Sequence, residues 1–222
     1  MKMKHHNKQS AFSLIELLTV VAIMGLLTSM AMPAMMSIVG ARNVPSAATK
    51  IADMLEFARN EAMTRQTYVW VGFKNATNAR GNRELRAAVF GSDDGTPDGG
   101  CYQLSKIVKM VDVKLTGFEE LQGTTQNLLP TDQRSLRESV NSSTTSGINL
   151  AAGGTTFERV LTFTPRGEAM LNSRPGPDTG FNRLVDVSVR ATRGLAEPSA
   201  SSYDAMILAG GSSGKVEILY AR

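Results

Sequence analysis

The residue best placed to do chemistry in this chain is Glu16. It is the only charged side chain between Phe12 and Val39, a run of 28 residues. A carboxylate in apolar surroundings is costly and ordinarily has a partner. At about one turn inside the run it could also extend toward the interface. Other stretches invite catalytic readings that their spacing does not support. Gly210 to Lys215 is glycine-rich like a phosphate-binding loop, but that loop needs Gly, four residues, then Gly-Lys-Ser/Thr. Ala209 and Val216 stand at the first and last of those positions, so a hairpin turn between two strands is expected. Asp93, Asp94 and Asp98 crowd one short stretch, but the spacing and terminal Glu of a calcium loop are missing. Asp, Gly and Pro are also the ordinary turn residues. Cys101 is the only cysteine, which rules out an intramolecular disulfide; it reads first as a small packing residue, with a reactive thiol or an intermolecular bridge as the alternatives. The two histidines, His5 and His6, both precede the apolar run, so no Ser/His/Asp or Cys/His set can be built after it. No catalytic residue, metal ligand or cofactor is expected, and the chain does not read as an enzyme.

The elements around Glu16 are better defined than any chemistry. The chain has 222 residues, 42% of them hydrophobic and 20% charged, which is ample for a packed core. Its net charge of +4 is concentrated at one end, because Lys2, Lys4 and Lys8 supply three of those charges before residue 12. The remainder is nearly neutral, which argues against a general polyanion-binding surface. The 28-residue run exceeds the ~20 residues that a helix needs to span ~30 Å of hydrocarbon. The lysines in front of it favour a cytoplasmic N-terminus, which sends the rest of the chain across a bacterial inner membrane. A secretory signal fits poorly. Its apolar region is shorter and ends at a small-residue cleavage site, whereas the small residue Ala11 precedes this run.

The order Ser10-Ala11-Phe12-Ser13-Leu14-Ile15-Glu16 resembles the type IV prepilin cleavage signal, written as Gly followed by Phe-Thr-Leu-Ile-Glu. The resemblance implies that a prepilin peptidase cuts between Ala11 and Phe12 on the cytoplasmic side and methylates the new amine of Phe12. His5 and His6 would leave with the basic leader, residues 1–11. Glu16 becomes the fifth mature residue, which in that family pairs with the N-terminal amine of a neighbouring subunit. Pro33 falls where pilins commonly carry a helix-kinking proline. Ala11 departs from the usual Gly. The partners implied are prepilin peptidase, other pilin or pseudopilin subunits and inner-membrane lipid.

Beyond the run, Val44, Ala48, Ile51, Leu55, Ala58 and Ala62 recur at spacings of three and four and form one apolar helical stripe. Pro45 either starts a new helical segment or kinks a continuous one. Ala58-Arg59-Asn60-Glu61-Ala62 resembles the segment that closes this helix in the FimT/GspH group of minor pilins and pseudopilins. Phe163-Thr164-Pro165-Arg166-Gly167 resembles that group's Phe-x-Pro-x-Gly hairpin. Arg59 and Glu61 read as a solvated helix face.

After Gln66 the runs are strand-like: Thr67–Lys74, Glu84–Phe90, Tyr102–Val113, Val160–Thr164, Leu184–Ala191, Ala205–Leu208 and Val216–Tyr220. Alternation over Leu184–Ala191 predicts one wet and one buried face. Residues 122–156 are rich in Ser, Thr, Gly and Asn and read as a long loop or insertion, with Leu128, Leu129, Pro130 and Leu136 as tethers. The fold class expected is α+β and pilin-like. A long N-terminal helix, membrane half 12–39 and amphipathic half 40–66, would pack on a mostly antiparallel β domain, 67–222, in the periplasm. The function that the resemblance implies is a minor pilin or pseudopilin of a secretion pseudopilus or pilus-like filament. The alternative is a FimT-like DNA-binding pilin, with Arg183, Arg190, Arg193, Lys215 and Arg222 as nucleic-acid contacts.

Overall fold

Apolar residues three and four apart fix which face of a helix stays dry. The structure is a computed structural model that describes residues 14–97, 99–121, 129–134, 136–143, 148–171, 184–192, 194 and 204–220, without the side chains of 30–42, 131 and 132. In it α1 (Leu14–Arg65) carries the stripe, and Val44, Ala48, Ile51, Leu55, Ala58 and Ala62 are all buried. Of the two alternatives for Pro45, a new helix start is excluded, since α1 runs through it and its carbonyl accepts from Thr49 Oγ1. Pro33 also lies within α1; its side chain is outside the description. The helix stops where Gln66 turns left-handed, at φ 53°, and Gln66 Nε2 donates to the Met63 carbonyl. The chain divides into two units, 1–39 and 40–222.

In the second unit the strands form two main sheets. The first runs β10 (Ala169–Leu171), β9 (Arg159–Phe163), β1 (Val69–Thr77), β2 (Arg83–Ser92), β3 (Cys101–Gln103), and β4 (Val108–Val111) also pairs with β2. The second runs β13 (Val216–Tyr220), β12 (Asp204–Gly210), β11 (Leu184–Ala191), β5 (Val113–Thr116), and β6 (Arg137–Ser139) also pairs with β11. A small ribbon joins β7 (Ala151–Ala152) to β8 (Thr155–Thr156). The pairings are antiparallel except for β6 on β11, so the class is α+β with mostly antiparallel sheets. One core cluster joins Ile51 and Leu55 of the helix, Val71 and Phe73 of the first sheet, and Val187 and Ile207 of the second.

Three expectations are corrected. Tyr102–Val113 is not one strand. Asp112 adopts φ 57°, and on either side of it β4 pairs with β2 while β5 pairs with β11. One left-handed residue thus hands the chain from one sheet to the other. Its amide donates to Arg83 and its carbonyl accepts from Thr192, which keeps the backbone satisfied at the crossing.

The alternation in β11 does not give a wet face. Asp186 and Ser188 are fully buried, and Arg190 is 7% exposed. A second apolar cluster, Phe118, Leu121, Leu129, Met206 and Leu208, covers that side of the sheet. The first sheet is likewise covered on both faces, with Trp70, Phe90, Phe157 and Leu150 clustered away from the main core.

The expected loop over 122–156 is, in its described residues, largely structured covering. It contains α2 (Thr131–Arg134), β6 and the β7–β8 ribbon, and it buries Leu129, Val140, Ile148 and Leu150. Leu136, expected as a tether, is 47% exposed. Leu128 and the centre of the Ser/Thr run, 144–147, lie outside the described residues.

Candidate functional site

Glu16 sits in the first turn of α1, the position where a carboxylate complements the helix dipole. Thr19 donates from Oγ1 to its carbonyl. Around it Leu14, Ile15, Leu17, Leu18, Val20, Val21, Ile23, Met24, Leu26 and Leu27 are all exposed, with Leu14 at 83%. Among the described residues of its own unit this helix therefore presents exposed apolar surface, with one carboxylate among it. Hydroxyls do not alter that character, because Thr28 and Ser29 turn their oxygens back onto the carbonyls of Met24 and Leu26. Among the described residues no helix is long and apolar enough to cross a membrane. The described side chains of the run extend only over residues 14–29. Ala11 and Phe12, the expected cleavage pair, lie outside the described residues.

The expected nucleic-acid contacts separate. Arg183, Arg193 and Arg222 lie outside the described residues. Arg190 is held in the interior: its Nε donates to both oxygens of Asp204 and its Nη2 to Asp204 Oδ2 at 3.0 Å and to the Glu120 carbonyl. A buried guanidinium held this way has little surface left for a phosphate. Lys215 is exposed beside the β12–β13 turn. That turn is the expected hairpin, for Gly210 donates to the Lys215 carbonyl and Gly214 donates to the Gly210 carbonyl. Those two amides serve the turn, not an anion.

The acidic stretch is also a turn in its described residues, and Asp98 lies outside them. Asp94 Oδ1 accepts from Ser92 Oγ, from the Thr96 amide and from Thr96 Oγ1, at 2.8–2.9 Å. Those bonds, led by the Thr96 amide, hold the Asp94 carboxyl below its ordinary value. No group of three or more His, Cys, Asp or Glu side chains converges as a metal site among the described residues. Cys101 is a free thiol near the Asn149 carbonyl, and burial, with Asp93 nearby, pushes it up and away from the thiolate.

Two arrangements escaped the sequence reading. Asp186 accepts from Arg137 Nη1 at 2.9 Å, from Ser139 and from Ser188, while the Arg137 guanidinium also lies 3.3 Å over the Phe118 ring. Burial nevertheless outweighs these bonds and raises the Asp186 carboxyl above its ordinary value. Only the parallel pairing of β6 with β11 brings residues 137 and 186 together, and no local spacing signals it. The other is Arg59, expected on a solvated face: the side chain is only partly exposed, and its Nε is buried between two turns and has no hydrogen-bond partner among the described residues.

No curated protein and no solved structure matches the chain. Residues 6–32 match the family model of the prokaryotic N-terminal methylation motif. That segment holds Ala11, Phe12 and Glu16. The chain therefore carries a type IV prepilin-like signal, which marks it as a type IV pilin-like prepilin substrate.

Proposed function

We propose that this chain is a minor pilin or pseudopilin, a structural subunit cut between Ala11 and Phe12 by prepilin peptidase and built into a secretion pseudopilus or pilus-like filament. The observation that carries the reading is the processing motif with Glu16 placed in it, at the start of an exposed apolar helix. In the membrane, residues 12–39 would span the inner membrane once, with the 1–11 leader cytoplasmic and the β-rich unit periplasmic. In the filament the apolar face would pack among neighbouring helices, and Glu16 would neutralise the methylated Phe12 amine of the next subunit. A charge removed from water needs such a partner. The FimT-like DNA-binding alternative is weakened, because Arg190 is spent on Asp204.

Mass spectrometry of the chain from cells with prepilin peptidase should give a fragment beginning at methylated Phe12. An intact Met1 start would sink the processing step. Glu16→Ala should leave cleavage intact and abolish incorporation into filaments, read by imaging or by shearing and immunoblotting. Normal incorporation of that variant would falsify the assembly role.

A further inference from the structure

Arg59 leaves α1 beside two turns, each with a glycine at its point of approach. Gly167, φ 81°, lies in the β9–β10 turn and Gly214, φ 61°, in the β12–β13 turn. A Cβ on Gly214 would lie 2.7 Å from Arg59 Cδ and Nε and would overlap the Gly167 carbonyl. A Cβ on Gly167 would lie 2.7 Å from Met63 Sδ. The Ala169 amide donates to the Gly211 carbonyl at 2.9 Å and ties the two turns together. The arginine is thus threaded through a fixed frame, and its orientation is set before any ligand arrives. Its Nε is buried without a hydrogen bond among the described residues, although a buried donor of this kind normally has a partner. The side chain lines a cavity of about 250 Å³ with Glu56, Asn60, Gly214, Lys215 and Val216.

We propose that Arg59 and Lys215 form an oxyanion pocket that receives one carboxylate side chain of a neighbouring protein subunit. The identity of that occupant rests on the filament-subunit reading above. A planar guanidinium offers paired donors that match a carboxylate, and Lys215 adds a second positive charge. Glu56, in the same lining, leaves the six residues with one net positive charge, enough for a single acid. The same Glu56, with Glu217 exposed two residues past Lys215, opposes the continuous negative charge of a nucleic-acid backbone. Arginine is among the side chains that most often carry protein interfaces.

The test uses the full chain in detergent micelles, with ¹⁵N-arginine labelling to follow the Arg59 Nε–H resonance. N-acetylglutamate methylamide is the carboxylate probe, with inorganic phosphate and a short DNA duplex in parallel. The expected result is saturable movement of that resonance with the carboxylate probe at roughly millimolar concentration. Arg59→Gln lacks that resonance, so its binding is read from saturation transfer to the probe's own protons, and it should abolish that transfer. Lys215→Gln, an exposed change that leaves the fold intact, should weaken binding about threefold, as for one exposed ion pair. No saturable movement, or no effect of Lys215→Gln, overturns the pocket, whatever Glu16 does in assembly. Tighter binding of phosphate or of the duplex than of the carboxylate overturns the choice of occupant. In cells, a photo-crosslinking residue at position 60 should attach to an acidic peptide of another subunit, and Arg59→Gln should remove that product. Saturation in micelles without a cross-linked subunit overturns the subunit as occupant, while the filament role itself is judged separately by Glu16→Ala.

Discussion

Asp186 and Asp94 show how burial and hydrogen bonding push the same side chain in opposite directions. Asp94 is surrounded by donors in an exposed turn, and its carboxyl is lowered. Asp186 has three partners as well, yet its complete burial raises it. A folded-state value above the ordinary 3.8 favours the fold while the group is protonated. That contribution is full below the unfolded value and is lost as pH rises through the raised one. Asp186→Asn should therefore remove a fall in stability that the wild type shows as pH climbs above 3.8, read as melting temperature against pH. For Asp94 the sign is reversed: its contribution is present above the ordinary value and is lost as pH falls through the lowered one. Asp94→Asn should flatten the acid-side loss instead.

At the scale of elements, the apolar stripe decides how α1 docks on the sheets, and one glycine decides how the far face of β1 is covered. Leu55 is fully buried in the main cluster, so Leu55→Ala should cost about 2–5 kcal/mol in a denaturant titration. Gly72 lies mid-strand in β1, where a Cβ would come 2.8 Å from Phe157 Cβ. Both atoms sit close to backbone, so neither can swing aside. Gly72→Ala should cost about 1–3 kcal/mol by overpacking and should displace Phe157 from its edge contact with Phe90. The stripe was legible in the sequence, because its spacing is a property of one helix. Gly72 was not, because nothing local marks which glycine faces an aromatic ring 85 residues later.

At the scale of the whole second unit, the segment between β5 and β9 covers the far faces of both sheets. Arg137 fastens one part of it, bonding Asp186 at 2.9 Å and stacking on Phe118. Arg137→Gln should leave Asp186 buried without its cation and cost about 3–5 kcal/mol. Dye binding to the uncovered Met206 and Leu208 surface would report the release of the segment. The double change Arg137→Met with Asp186→Leu should recover most of that loss, since a buried pair replaced by apolar side chains is often neutral.

The sequence by itself determined the processing motif, the lone Glu16, the helical stripe and most of the strands, because each is written in residues close together along the chain. Periodicity and a cleavage signal act locally, so they survive without knowledge of the fold. Only the tertiary structure decided which polar residues are spent in the interior. Arg190 looked free for a polyanion until Asp204, on the neighbouring strand, was placed against it. Asp186 and Ser188 looked wet until a Ser/Thr-rich segment proved to cover their sheet. Arg59 looked solvated until two glycine turns from distant strands closed around it. Such pairings depend on which strand edges meet across the core, and a long-range meeting leaves no period in the sequence.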